Sequence, residues 1–184
     1  MGESFGSYTI GNDESVMRSI TSANIACGFH AGDPSVIRRT IRLALASGVA
    51  IGAHPGFPDL VGFGRREMKV IPDEVEDFVM YQVSAVAGLA AAEGTRLQHV
   101  KPHGALYNLA ARDADIAAAI ARGVATLDRS LILFGLAGSE LLIAGRAAGL
   151  RVAAEAFADR AYTPDGALAS RREAGTVIHD PERV

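Results

Sequence analysis

Tryptophan is absent from this chain of 184 residues, aromatic residues make up only 6% of it, and cysteine occurs once, at Cys27. A lone cysteine cannot close an internal disulfide and leaves no Cys pair for a zinc ribbon, so a reducing, cytoplasmic setting is expected. No apolar run approaches the roughly 18 residues of a membrane span, and Met1 to Gly6 has neither the basic nor the apolar stretch of a leader, so no membrane partner is expected. There is no excess of positive charge either: the net charge is -3 and the basic residues are scattered, which gives nucleic acid no stripe to follow. The phosphate-loop pattern G-x-x-x-x-G-K-[ST] does not occur. Gly62-Phe63-Gly64 lacks the later glycine and the strand context of a dinucleotide turn. No internal repeat of 20 to 50 residues is visible.

What is present is a chain with 49% apolar residues and 20 glycines, enough to bury one core, so a single domain over residues 1–184 is expected. Five apolar runs, at Ser22 to Cys27, Val49 to His54, Leu97 to Lys101, Leu131 to Leu136 and Arg151 to Phe157, alternate with amphipathic segments. That rhythm is one of repeated βα units and predicts an α/β fold with a mostly parallel sheet. Asp33 and Pro34 open the first helix, Ile37, Ile41, Ala44 and Leu45 line one face, and Gly48 ends it. Arg38, Arg39 and Arg42 fall on its other, solvated face. Further helices are expected from Pro72 to Glu93, with a stripe of Val75, Phe78, Val79, Val83, Val86 and Leu89, from Asp113 to Leu127, and from Ser139 to Ala148. The segment His54 to Met68 is long and rich in Gly and Pro, the character of a functional loop, and the tail from Ala158 has little periodicity.

Ligands of parallel α/β sheets bind at the carboxyl ends of the strands, so the residues that follow each run carry the functional expectation. They are Gly28, His30 and Asp33; His54; Lys101 and His103; Gly138 and Ser139; and Glu155, Asp159 and Arg160. His30, His54, Lys101 and His103 are the candidate catalytic set, because three histidines in equivalent places can move protons and a lysine closing an apolar strand needs a reason beyond packing. Asp33, Arg65, Arg66, Glu155, Asp159 and Arg160 are candidate substrate contacts, although an N-cap accounts for Asp33 and a solvated surface for Arg65 and Arg66. Gly138 and Ser139 stand between a strand and a helix, where amides could cradle a phosphate or merely start the helix. His99 shares the Lys101 face but lies deeper, as a packed residue, and Cys27 reads as a small core thiol rather than a partner of His30. The histidine spacing matches no compact metal motif, so no metal ligands are assigned.

The sequence resembles the LamB/YcsF family, the A subunit of prokaryotic 5-oxoprolinase, along essentially its whole length. The resemblance rests on SFGSYTIGND at Ser4 to Asp13, TSANIACGFHAGDP at Thr21 to Pro34, GAHPGFPD at Gly52 to Asp59, GFGRR at Gly62 to Arg66, VKPHGALYN at Val100 to Asn108 and FADRAY at Phe157 to Tyr162. It implies a seven-stranded (β/α) barrel of the glycoside hydrolase and deacetylase type. It also implies ATP-dependent opening of the lactam of 5-oxo-L-proline to L-glutamate, with ATP and magnesium as co-substrate and two further subunits, B and C, as partners. Family members begin with a strand reading Asp-x-Asn-x-Asp-x-Gly-Glu, of which Gly2 and Glu3 are present, and continue beyond Val184. The expectation is therefore a partial barrel without its first strand and C-terminal elements, open along Ser22 to Cys27 and inactive alone. The alternatives are a metal-dependent amide hydrolase or deacetylase on the same barrel, and a non-catalytic interaction subunit.

Overall fold

The computed structural model describes residues 1–164, 166–171, 173–180 and 182. Five strands, β1 (Ser22–Ala26), β2 (Ala50–His54), β3 (His99–Val100), β4 (Ile132–Leu136) and β5 (Arg151–Glu155), form one sheet in the order β1-β2-β3-β4-β5 with every pair parallel. The helices are α1 (Asp13–Val16), α2 (Pro34–Ala46), α3 (Pro72–Ala92), α4 (Gly104–Ala110), α5 (Ala114–Leu127) and α6 (Glu140–Ala147). Consecutive strands are therefore spatial neighbours, joined by helical crossovers as parallel pairing requires.

Local chemistry explains where the elements begin. The Asp33 carboxylate accepts from the amides of Ser35 and Val36 and caps α2, and Asp113 caps α5 in the same way through Asp115 and Ile116. Ile71 cannot cap α3 with its own side chain; instead the Glu74 carboxylate accepts the Ile71 N–H at 3.1 Å, and Pro72 supplies the helical φ. The expected α3 stripe holds for Val75, Val79, Val83 and Val86, whereas Phe78 and Leu89 are half-buried and Gln82 takes a core position. Of the exposed arginines, Arg38 and Arg42 both meet Glu93 at the end of α3, so they tie two helices together. The short helix α4 is not expected from the sequence, because its seven residues start on Gly104 with no capping side chain.

Alternation divides the sheet into two faces. Ala23, Ile25, Ile51, Ala53, Val100 and Leu133 are buried beneath the helices. On the other face the register sets Asn24 beside Gly52 and Gly52 beside His99. The fully buried His99 donates from Nε2 to Asn24 Oδ1 at 2.9 Å, its ring lying over Gly52 and 4.8 Å from Phe134. Glycine is required at position 52 because a Cβ there would overlap that ring. Alongside β1, the Met1 amino group donates to the Asn24 carbonyl at 2.7 Å and the Met1 carbonyl accepts from Ala26 N–H at 3.0 Å. No helix among the described residues is long and apolar enough to cross a membrane.

Two glycine substitutions separate these roles. Gly52→Ala should lower stability by about 2–4 kcal/mol, since the His99 ring must leave its place and its hydrogen bond. Gly88→Ala, on the exposed face of α3 where an added Cβ meets nothing within 4 Å, should raise stability by about 0.5–1 kcal/mol. Urea unfolding of both variants checks the pair, and a neutral Gly52→Ala would refute the assigned packing.

Candidate active site

The sheet register carries three of the four candidate catalytic residues to one rim. His54 closes β2, Lys101 follows β3 directly, with its N–H donating to the Ala53 carbonyl at 3.0 Å, and His103 sits two residues on, where α4 begins. His30, from the loop after β1, is buried behind them, its ring stacked on His103 with centroids 3.8 Å apart and planes 4° from parallel. His54 stands edge-on to both rings. All four residues thus form one cluster at the carboxyl ends of the strands.

The hydrogen bonds around the rings fix their protons. His54 Nδ1 lies 2.6 Å from the Lys101 carbonyl, which can only accept, so Nδ1 carries a hydrogen and Nε2 of the neutral ring is an acceptor. His103 Nδ1, 3.0 Å from that Nε2, must then donate. The remaining nitrogen, His103 Nε2, lies 2.8 Å from the Phe63 carbonyl, another obligate acceptor. Filling all three contacts takes three ring protons, whereas two neutral imidazoles hold two. Burial pushes His54 well below its ordinary value and His103 down to about 4, so the resting pair is neutral with one contact unfilled. A proton taken up would fill that contact and give every nitrogen of the pair a hydrogen-bond partner, while burial opposes the charge it brings. Neither nitrogen of His30 has a hydrogen-bond partner among the described residues, and the ring is pushed down to about 2 by burial first, then by His103.

Loop backbone packs directly against these rings. A Cβ at Gly56 would come 2.8 Å from His30 Nδ1, and one at Gly64 would come 2.8 Å from His30 Cβ and 2.9 Å from His103 Cδ2. Gln82 of α3 pins the loop by bonding Gly56 N–H and C=O, each at 2.9 Å. Phe63, whose carbonyl faces His103, adopts a left-handed φ of 55°, a strained conformation for a residue with a side chain. Arg66 pairs with buried Asp59 within the same loop; the guanidinium hydrogen bond, ahead of other effects, holds that carboxyl down at about 2.

Lys101 Nζ donates to Glu155 Oε2 at 2.6 Å, joining the ends of β3 and β5, and stands 4.8 Å above the Phe157 ring. The Tyr107 hydroxyl and Glu155 Oε1 are buried with no hydrogen bond of good geometry, and burial followed by the Glu155 charge pushes the phenol up, so it stays protonated. A cavity of about 810 Å³ opens over this rim; His54, Arg65, Arg66, Lys101, His103, Gly138, Ser139 and Arg160 all line it, together with Tyr107, Phe157 and Arg171.

Other sequence candidates stand elsewhere. Asp33 is not in the cavity wall: its oxygens are taken by the α2 amides and by Gly6 N–H. Asp159 is exposed outside the lining residues, and Glu155 acts through Lys101. The amides of Ser139 and Glu140 donate to the Leu136 and Ala111 carbonyls, so of the expected phosphate cradle the donors left among the described residues are the Gly138 N–H and the buried Ser139 hydroxyl. Tyr107, Phe157 and Arg171 escape sequence reasoning; the first two follow the strand-end residues by a few positions, and nothing local marks Arg171. Cys27 is a core thiol raised to about 12 by burial, which excludes a thiolate paired with His30. No group of three or more His, Cys, Asp or Glu side chains suited to a metal ion occurs among the described residues. The nitrogens of His54 and His103 already face each other and carbonyls, so this donor set does not fit a metal.

Comparison with known proteins follows the same residues. The model of the LamB/YcsF family matches residues 1–184. The A subunit of the 5-oxoprolinase of Tolumonas auensis is 60% identical over all of this chain and 73% of its own length, and that of Symbiobacterium thermophilum is 62% identical over all of this chain and 70% of its own. The crystal structure of a lactam utilization protein from Thermus thermophilus, 52% identical, superposes with a TM-score of 0.94 over the whole chain and 74% of that protein.

The buried histidines predict an acid-labile fold. His30, His99 and His103 fold neutral with values lowered to about 2, 4 and 4, while the unfolded chain takes up protons near the ordinary value of about 6.5. Their contribution is full above pH 6.5 and is lost as pH falls through the range below it, whereas the depressed Asp59 and Glu93, each near 2, weaken the fold only below about pH 4. The melting temperature should therefore drop between pH 6.5 and 4. A flat profile from pH 7 to 5 would contradict the neutral cluster.

Proposed function

Because the chain belongs to the LamB/YcsF family, we propose that it supplies the lactam-opening site of a 5-oxoprolinase, converting 5-oxo-L-proline to L-glutamate with ATP as co-substrate. The observation that carries this reading is the junction, on one cavity wall, of a histidine pair poised to accept a proton and a lysine ammonium with donors to spare. Lactam hydrolysis needs both. A ring amide is a poor electrophile, and transfer of the γ-phosphoryl of ATP to its oxygen, releasing ADP, makes the carbon attackable. Water then adds to that carbon, and its proton passes to the His54–His103 pair through a turn of the His103 ring toward the cavity, after which the returned ring fills the contact left open at rest. The ring C–N bond breaks as the proton passes to the nitrogen, and hydrolysis of the acyl phosphate gives glutamate and phosphate. Lys101 uses one of its three donors on Glu155 and offers the others to the oxygen where negative charge develops. Arg65, Arg66 and Arg160 supply planar donors for anionic ends of the reactants, and magnesium arrives with the nucleotide.

We read the sheet as an arc of a (β/α) barrel of the seven-stranded type, within one domain. Support comes from the strand order, which follows the chain without reversal, as in barrels, and has no switch point of the doubly wound kind. The working unit in this reading is a cytoplasmic complex with two further subunits.

Glutamate release from 5-oxo-L-proline, by the chain combined with both partner subunits, should require ATP. Lys101→Met should lower turnover at least 100-fold and also destabilise the fold, because it leaves Glu155 unpaired. Lys101→Met/Glu155→Gln should recover stability without turnover, and His103→Asn should lower turnover by about 10²–10⁴. Near-normal release by the lysine and histidine variants would refute the catalytic roles of Lys101 and His103, and ATP-independent release would refute the coupling.

A further inference from the structure

Arg160 is a buried cation that no ion pair neutralises among the described residues. It follows β5 by a few residues and is only 8% exposed. One terminal nitrogen donates to the Ala169 carbonyl at 2.6 Å, Nε has no partner, and no carboxylate among the described residues forms an ion pair with it. A guanidinium does not escape burial by losing its proton. Its surroundings add to the strain: burial and then the Arg171 charge disfavour the charged forms of both Arg160 and Arg65, with Asp159 and Glu3 offsetting only in part. Lys101, by contrast, already has Glu155. Three like charges, Arg65 from the loop before α3 and Arg160 and Arg171 from the segment after β5, thus converge on one cavity, and the Ser139 hydroxyl, buried and without a hydrogen bond among the described residues, lies in the same wall.

A fixed, desolvated fork of N–H donors with excess positive charge is unfavourable in the free chain and favourable once an oxyanion fills it, because planar guanidinium matches the paired oxygens of an oxoacid. We propose that Arg160, flanked by Arg65 and Arg171 and with the Ser139 hydroxyl in the cavity wall, forms a subsite for an anionic oxoacid group. Within the lactam-opening reading, on which the choice of ligands rests, that group is either the phosphoryl transferred from ATP or the carboxylate of 5-oxo-L-proline.

Melting curves and titration calorimetry of the purified chain with inorganic phosphate, with 5-oxo-L-proline and with its uncharged carboxamide test this directly. At least one of the two anions should raise the melting temperature, and the carboxamide should not. Arg171→Gln should weaken that binding about tenfold, the loss of one charge-assisted contact. Arg160→Gln should abolish it while melting, without ligand, no lower than the wild type. Stabilisation by phosphate alone assigns the subsite to a phosphoryl group, and stabilisation by 5-oxo-L-proline alone assigns it to the carboxylate. If Arg160→Gln fails to fold, the Arg171→Gln titration and a fall in affinity with added salt decide the matter. Absence of binding by both anions, binding unchanged in the variants, or equal binding of the carboxamide overturns the proposal. No turnover enters the measurement, so an anion site without glutamate release would sink the lactam reading alone, and glutamate release without an arginine-dependent anion site would sink this one alone.

Discussion

The site depends on one hydrogen bond, from His54 Nδ1 to the carbonyl of Lys101. It fills the one gap in the pairing of the segments that follow β2 and β3, because Pro55 has no N–H to give the Lys101 carbonyl while the His103 N–H donates to the Pro55 carbonyl at 2.8 Å, and it decides the tautomer of His54. The tautomer decides which nitrogen meets His103, and that contact orients the ring that stacks on His30. A rotation of His54 would invert donor and acceptor along the whole row. The proton capacity of the cluster is thus set by backbone geometry, and parallel register is what brings a carbonyl to the right place.

Holding rings this tightly demands room that side chains would fill. The loop between β2 and α3 meets the histidines with Gly56 and Gly64, and it is anchored from outside by Gln82 and from within by the Asp59–Arg66 pair. Phe63 accepts an unfavourable backbone so that its carbonyl can face His103 while its ring packs edge-on against two imidazoles. Of the buried polar groups left unsatisfied among the described residues, those of His30, Tyr107, Ser139, Glu155 and Arg160 lie near this rim, and His99 Nδ1, deeper in the sheet, is the exception.

Much of this is legible in the chain. Strand positions come within a residue or two because apolar runs and their glycine or polar boundaries are local signals, and the same is true of α2, where capping, proline and periodicity agree. The rim assignment of His30, His54, Lys101 and His103 follows from strand ends alone. Pairings are not legible: Lys101 and Glu155 are separated by 54 positions, and nothing near either residue says that they meet. The burial of Arg160 escapes for the same reason, since its environment is made by segments distant in sequence. Asp33 shows the converse, a polar residue at the right address whose oxygens are spent on local structure. Helix α4 is hidden by its shortness and its uncapped glycine start.

Cys27 has a consequence outside chemistry at the rim. Its thiol donates to the Ile25 carbonyl at 3.2 Å and accepts the His54 N–H at 3.1 Å, so it is shielded by the same histidine that organises the cluster. A thiol held near 12 and closed off from solvent is inert to alkylating reagents until β1 and β2 part. As the single sulfhydryl of these 184 residues, it is a native clock: the rate at which a reagent labels it times the breathing of the strands that carry Cys27 and His54, with no residue changed.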